Sequence, residues 1–336
     1  MEMQTDSVET VKSIASDLKA AEPIVSVKNL TVTGKDGRLL VDHLSLQLKR
    51  GETLGLVGES GSGKTLTLKS LIGLLPKNLS ESYEEKKING NVAMIFQNPM
   101  SALDPLCPVF AQLIEVVMIR QNVSKKEAAC RAKELIERLG LPKELSKKDR
   151  LPSELSGGQC QRILIAMALA CEPDILIADE PTTALDVTIQ AQILDLLREI
   201  QMKLGTATIL VSHDLGVVAR VADRVAVMYA GKIVEIGTAE EVYYDPRHPY
   251  TWGLMRSLPA FANGKESLYT IPGMPPTLID PPEGDAFACR NEYALNIDYE
   301  EMPPMFKITD THYAATWLLD PRAPQIKSPM GGPCSE

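Results

Sequence analysis

The chain has 336 residues, of which 44% are hydrophobic, and its 35 basic and 44 acidic residues give a net charge of -9. This charge argues against a broad nucleic-acid-binding face, which is usually basic. No apolar run approaches the roughly 20 residues of a membrane-spanning helix, and the start, Met1-Glu2-Met3-Gln4, does not resemble a secretory signal. The six cysteines form no Cys-x-x-Cys pair, so we expect a cytosolic chain with reduced thiols.

The N-terminal part of the chain carries mainly strand patterns. Residues 1–23 are polar and predict a frayed tail, although a docked helix also fits. Apolar and polar residues alternate over 24–33 and 39–48 around a Lys35-Asp36-Gly37 turn, which predicts a β-hairpin. Next in order we predict a buried strand at 53–57, a helix at 65–75 and a strand at 91–96.

The pattern becomes helical over residues 99–170 and then returns to strands. Helices are predicted at 109–121, 125–139, 157–171 and 187–204, and strands at 174–178, 207–211, 224–229 and 232–236. Strands that alternate with helices predict an α/β fold with a mainly parallel sheet, here divided by a helical insert. From about Asp245 onward prolines accumulate, which indicates a second, loop-rich unit.

A glycine-rich loop follows the predicted strand at 53–57. Its sequence, Gly58-Glu59-Ser60-Gly61-Ser62-Gly63-Lys64-Thr65, matches the phosphate-binding pattern G-x-x-x-x-G-K-[ST]. The glycines let backbone N–H groups surround a β-phosphate, the lysine reaches the β- and γ-oxygens, and the threonine hydroxyl ligates Mg²⁺. A plain glycine turn is the alternative, but the position between a strand and a helix favours a nucleotide site.

Two adjacent carboxylates end another predicted strand, at the sheet edge where ligands of parallel sheets bind. Asp179 is the candidate Mg²⁺ ligand, and Glu180 is the candidate general base for an attacking water. Gln97, after the strand at 91–96, carries a neutral amide that can touch Mg²⁺ or that water. His213 follows a further strand and can donate to a γ-phosphate, although a lone histidine is more often structural.

A second anion cradle is predicted at Leu155-Ser156-Gly157-Gly158-Gln159, where a helix begins. The chain thus has two anion-binding segments but only one set of residues for hydrolysis. This suggests that nucleotides are bound between two such domains. In this order the motifs resemble those of the ATP-binding cassette (ABC) ATPases, over residues 24–245.

The resemblance implies a RecA-like P-loop core with an antiparallel β subdomain and a helical subdomain at about 99–170. It also implies ATP and Mg²⁺ as ligands, the metal being held by Thr65, Asp179 and Gln97. Ser156, Gly157, Gly158 and Gln159 would bind the ATP of a partner subunit, and Ala184-Leu185-Asp186 resembles the D-loop that crosses between subunits. The sequence departs from the family in two places. No aromatic residue stands at Val32-Thr33-Gly34 to stack on adenine, and the stretch 77–90 is short, so we expect a trimmed hairpin there.

The extension, residues 246–336, resembles the C-terminal region of the D-type ATPase subunits of oligopeptide and dipeptide permeases. The resemblance rests on Asp245-Pro246-Arg247-His248-Pro249-Tyr250-Thr251 and Ile271-Pro272-Gly273-Met274-Pro275-Pro276. In many members four cysteines of this region bind an iron–sulfur cluster. Here Cys289 is the only cysteine near the stretches Gly284–Phe287, Arg290-Asn291 and Asp298, so we expect no cluster.

These observations predict the ATPase subunit of a bacterial peptide importer, peripheral to the cytoplasmic face of the cell membrane. The expected partners are a second, paralogous ABC ATPase, two membrane permease subunits and, through the permease, an extracellular peptide-binding protein, with no nucleic acid. Two alternatives stay open. One is an importer ATPase for another solute, such as nickel or glutathione, and the other is a soluble ABC ATPase that acts on nucleic acid or ribosomes.

Overall fold

A computed structural model describes residues 22–330 apart from 148, 184, 259–260, 262–268 and 277–281. The chain forms two compact units. The first comprises the N-terminal part up to Ser26, Gln47–Glu52 and Lys87–Thr208, and the second comprises Val27–Leu46, Thr53–Lys86 and the chain from Ile209 onward. Each unit uses separate stretches of the chain, and the predicted division at residues 23 and 245 stays a prediction.

The elements follow one another largely as predicted. In chain order, the strands are β1 (Val25–Gly34), β2 (Leu39–Leu48), β3 (Thr53–Val57), β4 (Leu79–Ser82), β5 (Glu85–Ile88), β6 (Val92–Ile95), β7 (Ile175–Asp179), β8 (Ala207–Ser212), β9 (Arg224–Tyr229), β10 (Lys232–Thr238), β11 (Phe306–Lys307) and β12 (Tyr313–Ala314). The α-helices are α1 (Lys64–Leu71), α2 (Pro99–Ala102), α3 (Val109–Gln121), α4 (Lys125–Arg138), α5 (Gly157–Ala170), α6 (Val187–Leu204), α7 (Leu215–Ala219), α8 (Ala239–Tyr244) and α9 (Pro249–Arg256).

The first unit combines a parallel strand pair with packed helices. β6 pairs in parallel with β7, from Val92 opposite Ile175 to Ile95 opposite Ala178. All of β7 is buried, as expected for a continuous apolar run in a parallel sheet. Helices α3, α4 and α5 pack against one another, and the side chain of Ser124 caps α4 by accepting from the N–H of Glu127. The helical character predicted for residues 99–170 is therefore observed within this unit.

The second unit contains a sheet with strand order β11-β12-β10-β9-β3. β3 runs parallel to β9, whereas β9, β10, β12 and β11 pair antiparallel in that sequence. A separate sheet has the order β2-β1-β4, and β5 also pairs with β1. The short stretch 77–90 therefore retains two four-residue strands, β4 and β5, that both pair with β1.

Helix α1 ends four residues earlier than predicted. The predicted helix extended to residue 75, but Ile72 is already the C-cap and Gly73 adopts a φ of 70°. The N–H groups of Gly73 and Leu74 donate to the carbonyls of Ser70 and Lys69, which satisfies the end of the helix. The apolar residues after Leu71 continued the helical pattern in the sequence and concealed this glycine stop.

Across the described part of the chain, no helix combines the length and the apolar character needed to cross a membrane.

Candidate functional site

The phosphate loop of the second unit folds around the amine of Lys64. β3 leads directly into this loop, and Lys64 Nζ donates to the carbonyl oxygens of Gly58 (2.7 Å) and Glu59 (2.8 Å). Gly63 caps α1 with a φ of 101°, and a Cβ at this position would lie 2.8 Å from the carbonyl oxygen of Leu40. The loop therefore requires glycine here. Because the first N–H groups of a helix lack acceptors within it, the loop and α1 together offer an anion-binding end.

A cavity of about 210 Å³ opens beside this loop. Its lining includes Ser60, Gly61 and Ser62 of the loop, Arg38 and Leu40 at the start of β2, and Tyr229, Pro275 and Pro276. Tyr229 is only 1% exposed. The accessible wall of the cavity is therefore formed mainly by aliphatic and polar groups.

In the first unit, Glu180 and Gln97 are directly hydrogen-bonded. Glu180 Oε2 accepts from Gln97 Nε2 and from Thr183 Oγ1, both at 2.8 Å. Glu180 follows the buried Asp179 at the end of β7 and adopts a φ of 47°, which non-glycine residues rarely occupy. Such strain is often found at functional sites. The structure thus joins two of the predicted catalytic side chains and adds Thr183, which sequence analysis missed.

Ser156 and the glycines after it form the exposed beginning of α5. Ser156 Oγ accepts from the N–H of Gln159, and the Gln159 side chain accepts from the N–H of Ser156, which is a capping box. A Cβ on Gly158 would lie 3.0 Å from Ile189 Cγ2, so a larger residue is disfavoured there. Gly157 is exposed. The predicted second cradle is therefore an accessible helix N-terminus of a 14-residue helix.

Asp186 and His213 occupy junctions between elements. Asp186 Oδ1 accepts from the N–H groups of Thr188 and Ile189 and so caps α6. Its neighbour in the predicted D-loop, Ala184, lies outside the described residues. His213 is exposed immediately after β8, in the second unit. The functional roles given to Asp186 and His213 stay predictions.

Two acids of the C-terminal extension are buried and serve as turn caps. The carboxylate of Asp285 accepts from the N–H of Phe287 (3.0 Å), and that of Asp298 accepts from the N–H of Leu295 (2.6 Å). Burial raises the pKa of Asp285 to about 6 and also raises the pKa of Asp298. Among the described residues no group of three or more His, Cys, Asp or Glu side chains could hold a metal ion. That the chain binds no iron–sulfur cluster stays a prediction.

Two further residues of the extension contact the phosphate loop at Glu59. Arg290 Nη1 and Nη2 donate to the two carboxylate oxygens of Glu59, at 2.8 and 3.0 Å. The hydroxyl of Tyr250 accepts from the Glu59 N–H at 2.8 Å. Sequence analysis missed both contacts because their partners lie 231 and 191 positions apart along the chain.

The geometry agrees with what comparison with known proteins finds. The family profile described as ABC transporter matches residues 41–183, and the profile of the oligopeptide/dipeptide transporter C-terminal region matches residues 234–297. The chain is 48% identical over 328 residues to the oligopeptide transport ATP-binding protein OppD of Bacillus subtilis, covering 91% of this chain and 92% of the relative. The chain belongs to the ABC transporter family.

This ABC ATPase is also 42% identical over 287 residues to the dipeptide transport ATP-binding protein DppD of Escherichia coli, which covers 80% and 88% of the two chains. Among solved structures, cbiO1 of Clostridium perfringens matches with a TM-score of 0.57 and 29% identity, over 67% of this chain and 92% of that one. The dimeric ATP-binding cassette MJ0796 bound to ADP and Pi gives a TM-score of 0.56 and 28% identity, over 64% and 98%. The predicted family and the predicted α/β cassette fold are confirmed.

Proposed function

We propose that this ABC ATPase hydrolyses ATP to drive the import of oligopeptides or dipeptides through a membrane permease. The observation that carries the proposal is the C-terminal match over residues 234–297, which lies entirely outside the range matched by the ABC transporter profile. It is supported by relatives whose names describe oligopeptide and dipeptide transport. An importer ATPase for nickel or glutathione would share the cassette but is not favoured by these matches.

In this proposal the loop Gly58–Thr65 binds the β- and γ-phosphates of ATP. Lys64, whose amine now bonds two loop carbonyls, supplies the positive charge. Thr65, Asp179 and Gln97 carry hydroxyl, carboxylate and amide oxygens, a donor set that suits Mg²⁺. An ion held there would neutralise charge on the phosphates. The aliphatic walls around Leu40, Pro275 and Pro276 would face the nucleobase.

Glu180 acts as the general base in the hydrolytic step. Its carboxylate takes a proton from water while the water oxygen bonds to the γ-phosphorus and the bond to the β–γ bridging oxygen breaks. Gln97 and Thr183 both donate to one oxygen of Glu180, which fixes the orientation of the carboxylate. His213 donates to the γ-phosphate. A base held by two donors loses little orientational freedom as the reaction proceeds.

The exposed cradle at Ser156–Gln159 contacts the ATP of a second cassette, and Asp186 lies in the segment that crosses to it. The second cassette is proposed to be a paralogue, because the extension resembles that of D-type subunits, which the family resemblance places in importers with two different ATPases. The pair works on the cytoplasmic face of the membrane with two permease chains. An extracellular peptide-binding protein delivers the solute to the permease, and nucleic acid takes no part.

The composition of the native complex tests this assembly. We expect the tagged chain, extracted from its own membrane with mild detergent, to carry along a second, different ATPase and two permease chains, identified by mass spectrometry. Addition of ADP should loosen the cassette pair, whereas ATP should tighten it. Recovery of a fully active soluble homodimer without membrane chains would contradict the proposal and favour a soluble ABC ATPase.

A further inference from the structure

The phosphate loop is held at Glu59 from three directions. The N–H of Glu59 donates to the Tyr250 hydroxyl, its carbonyl oxygen accepts from Lys64 Nζ, and its carboxylate accepts from Arg290. Tyr250 and Arg290 both belong to the C-terminal extension. Two of the three polar groups of this loop residue are therefore bonded to the extension rather than to the cassette motifs.

The ion pair between Arg290 and Glu59 has the geometry of a fork. Both terminal nitrogens of Arg290 bond the carboxylate, at 2.8 and 3.0 Å, and this arrangement fixes direction as well as distance. The Arg290 side chain is 6% exposed, against 25% for Glu59. Little water reaches the arginine, so the pair is screened less than a surface ion pair.

Arg290 is itself rigidly placed. Its Nε donates to the carbonyl of Pro272 at 2.8 Å and its Nη1 also donates to the Tyr229 hydroxyl at 3.2 Å. Burial by itself would lower the pKa of Arg290, but the hydrogen bonds to Glu59 and Tyr229 raise it above its ordinary value. The guanidinium is therefore charged at physiological pH.

An aromatic cluster packs beside the residues that make the contact between Arg290 and Glu59. The rings of Tyr229, Tyr250 and Phe287 lie with centroids 4.6 to 5.4 Å apart, and Tyr250 is fully buried. Glu59 and Tyr229 also line the cavity beside the phosphate loop. The contact between Arg290 and Glu59 thus lies at the wall of the candidate nucleotide site, and the packed aromatic rings support it.

We propose that Arg290 is a positioning residue for nucleotide binding, which holds the phosphate loop in its binding conformation through Glu59. The inference rests on the proposed function, because it concerns the same nucleotide site. It gives the C-terminal extension a role in ATP binding that is separate from any role in subunit pairing. Glu59 lines the cavity beside the phosphate loop and Arg290 does not, so we expect the effect of Arg290 to pass through Glu59.

The test measures ADP binding by titration calorimetry in the purified full-length chain, and the KM and kcat for ATP in the complex purified from its own membrane. Arg290→Met keeps the length of the side chain and removes the fork, and Glu59→Gln removes the acceptor charge. We expect each to weaken ADP binding and raise the KM for ATP by about tenfold or more, as loss of a charge-assisted hydrogen bond does. The kcat should change much less, because Glu180 is untouched. Arg290→Lys, with its charge but no fork, should fall between the wild type and Arg290→Met.

Arg256→Met is the matched control. Arg256 is also an arginine of the extension, stacked on Tyr269 and paired with Glu292, and within the described part of the chain it makes no hydrogen bond or ion pair to the loop. We expect wild-type ADP affinity for this variant. In the double variant Arg290→Met/Glu59→Gln, the loss should be no larger than in the more severe single variant, because both changes remove the same contact.

Wild-type ADP affinity and KM in Arg290→Met and Arg290→Lys, with only a lower Tm, would overturn the inference and leave Arg290 as an anchor of the extension. Losses that multiply in the double variant would also overturn it, because Arg290 would then not act through Glu59. Should Arg290→Met fail to fold, the same comparison is made with Arg290→Lys. The proposed function is tested separately, because it would be contradicted if the wild-type chain bound no nucleotide.

Discussion

Replacing Glu180 by glutamine should reduce ATP turnover by about 100-fold or more, the usual contribution of a general base. The amide cannot take a proton from water, but its oxygen can still accept from Gln97 and Thr183, so the local conformation should persist. ATP binding should be retained and the closed cassette pair should accumulate. Single-turnover hydrolysis and equilibrium binding of ATP, measured on the same preparation, separate these two effects.

The matched control for this prediction is Glu172→Gln. Glu172 is an exposed glutamate of the same unit with a φ of 45°, close to the 47° of Glu180. The control therefore makes the same chemical change at a residue with a similar backbone conformation. We expect its turnover to equal that of the wild type. Unchanged steady-state hydrolysis in Glu180→Gln would remove this residue from the role of base and direct attention to His213.

Replacing Lys64 by alanine should act at an earlier step, on nucleotide binding. Each charge-assisted hydrogen bond between the lysine and phosphate contributes about 1.5–3 kcal/mol, so ATP should bind about tenfold to more than a hundredfold more weakly. The variant also loses the bonds that close the loop over Gly58 and Glu59, which adds to the loss. Titration calorimetry with ADP measures the change without hydrolysis.

Lys69→Ala is the control on the same helix. Lys69 lies in the last turn of α1, whereas Lys64 is its first residue, so the control removes an equal charge from the other end. ADP affinity should stay at the wild-type value in Lys69→Ala. Equal losses in the two variants would indicate a general electrostatic effect and would contradict a direct contact between Lys64 and phosphate.

Much of the fold could be predicted because the patterns are local and strong. β3, β9, α3 and α6 have the predicted bounds, since each is a continuous or periodic apolar run ended by turn residues. The end of α1 could not be read in the same way. Apolar residues continue past Leu71, and only the left-handed conformation of Gly73 shows that the helix has stopped.

In the candidate site, too, some residues could be predicted from the sequence and others could not. Its motif residues stand in short, ordered segments, so Lys64, Glu180 and Ser156 could be found from sequence alone. Thr183, Tyr250 and Arg290 could not, because a hydrogen-bond partner has no signature of its own in a single sequence. Arg290 stands in a stretch whose sequence carries no recognisable motif, and its partner Glu59 is 231 positions away.

Uptake of a labelled peptide tests the central claim most directly. Cells that lack this chain should fail to accumulate a radiolabelled tripeptide, and the wild-type chain should restore uptake while Glu180→Gln, expressed at the same level, should not. Uptake of labelled nickel and glutathione in the same cells should be unaffected by loss of the chain. Normal peptide uptake without the chain, together with loss of nickel or glutathione uptake, would contradict the account.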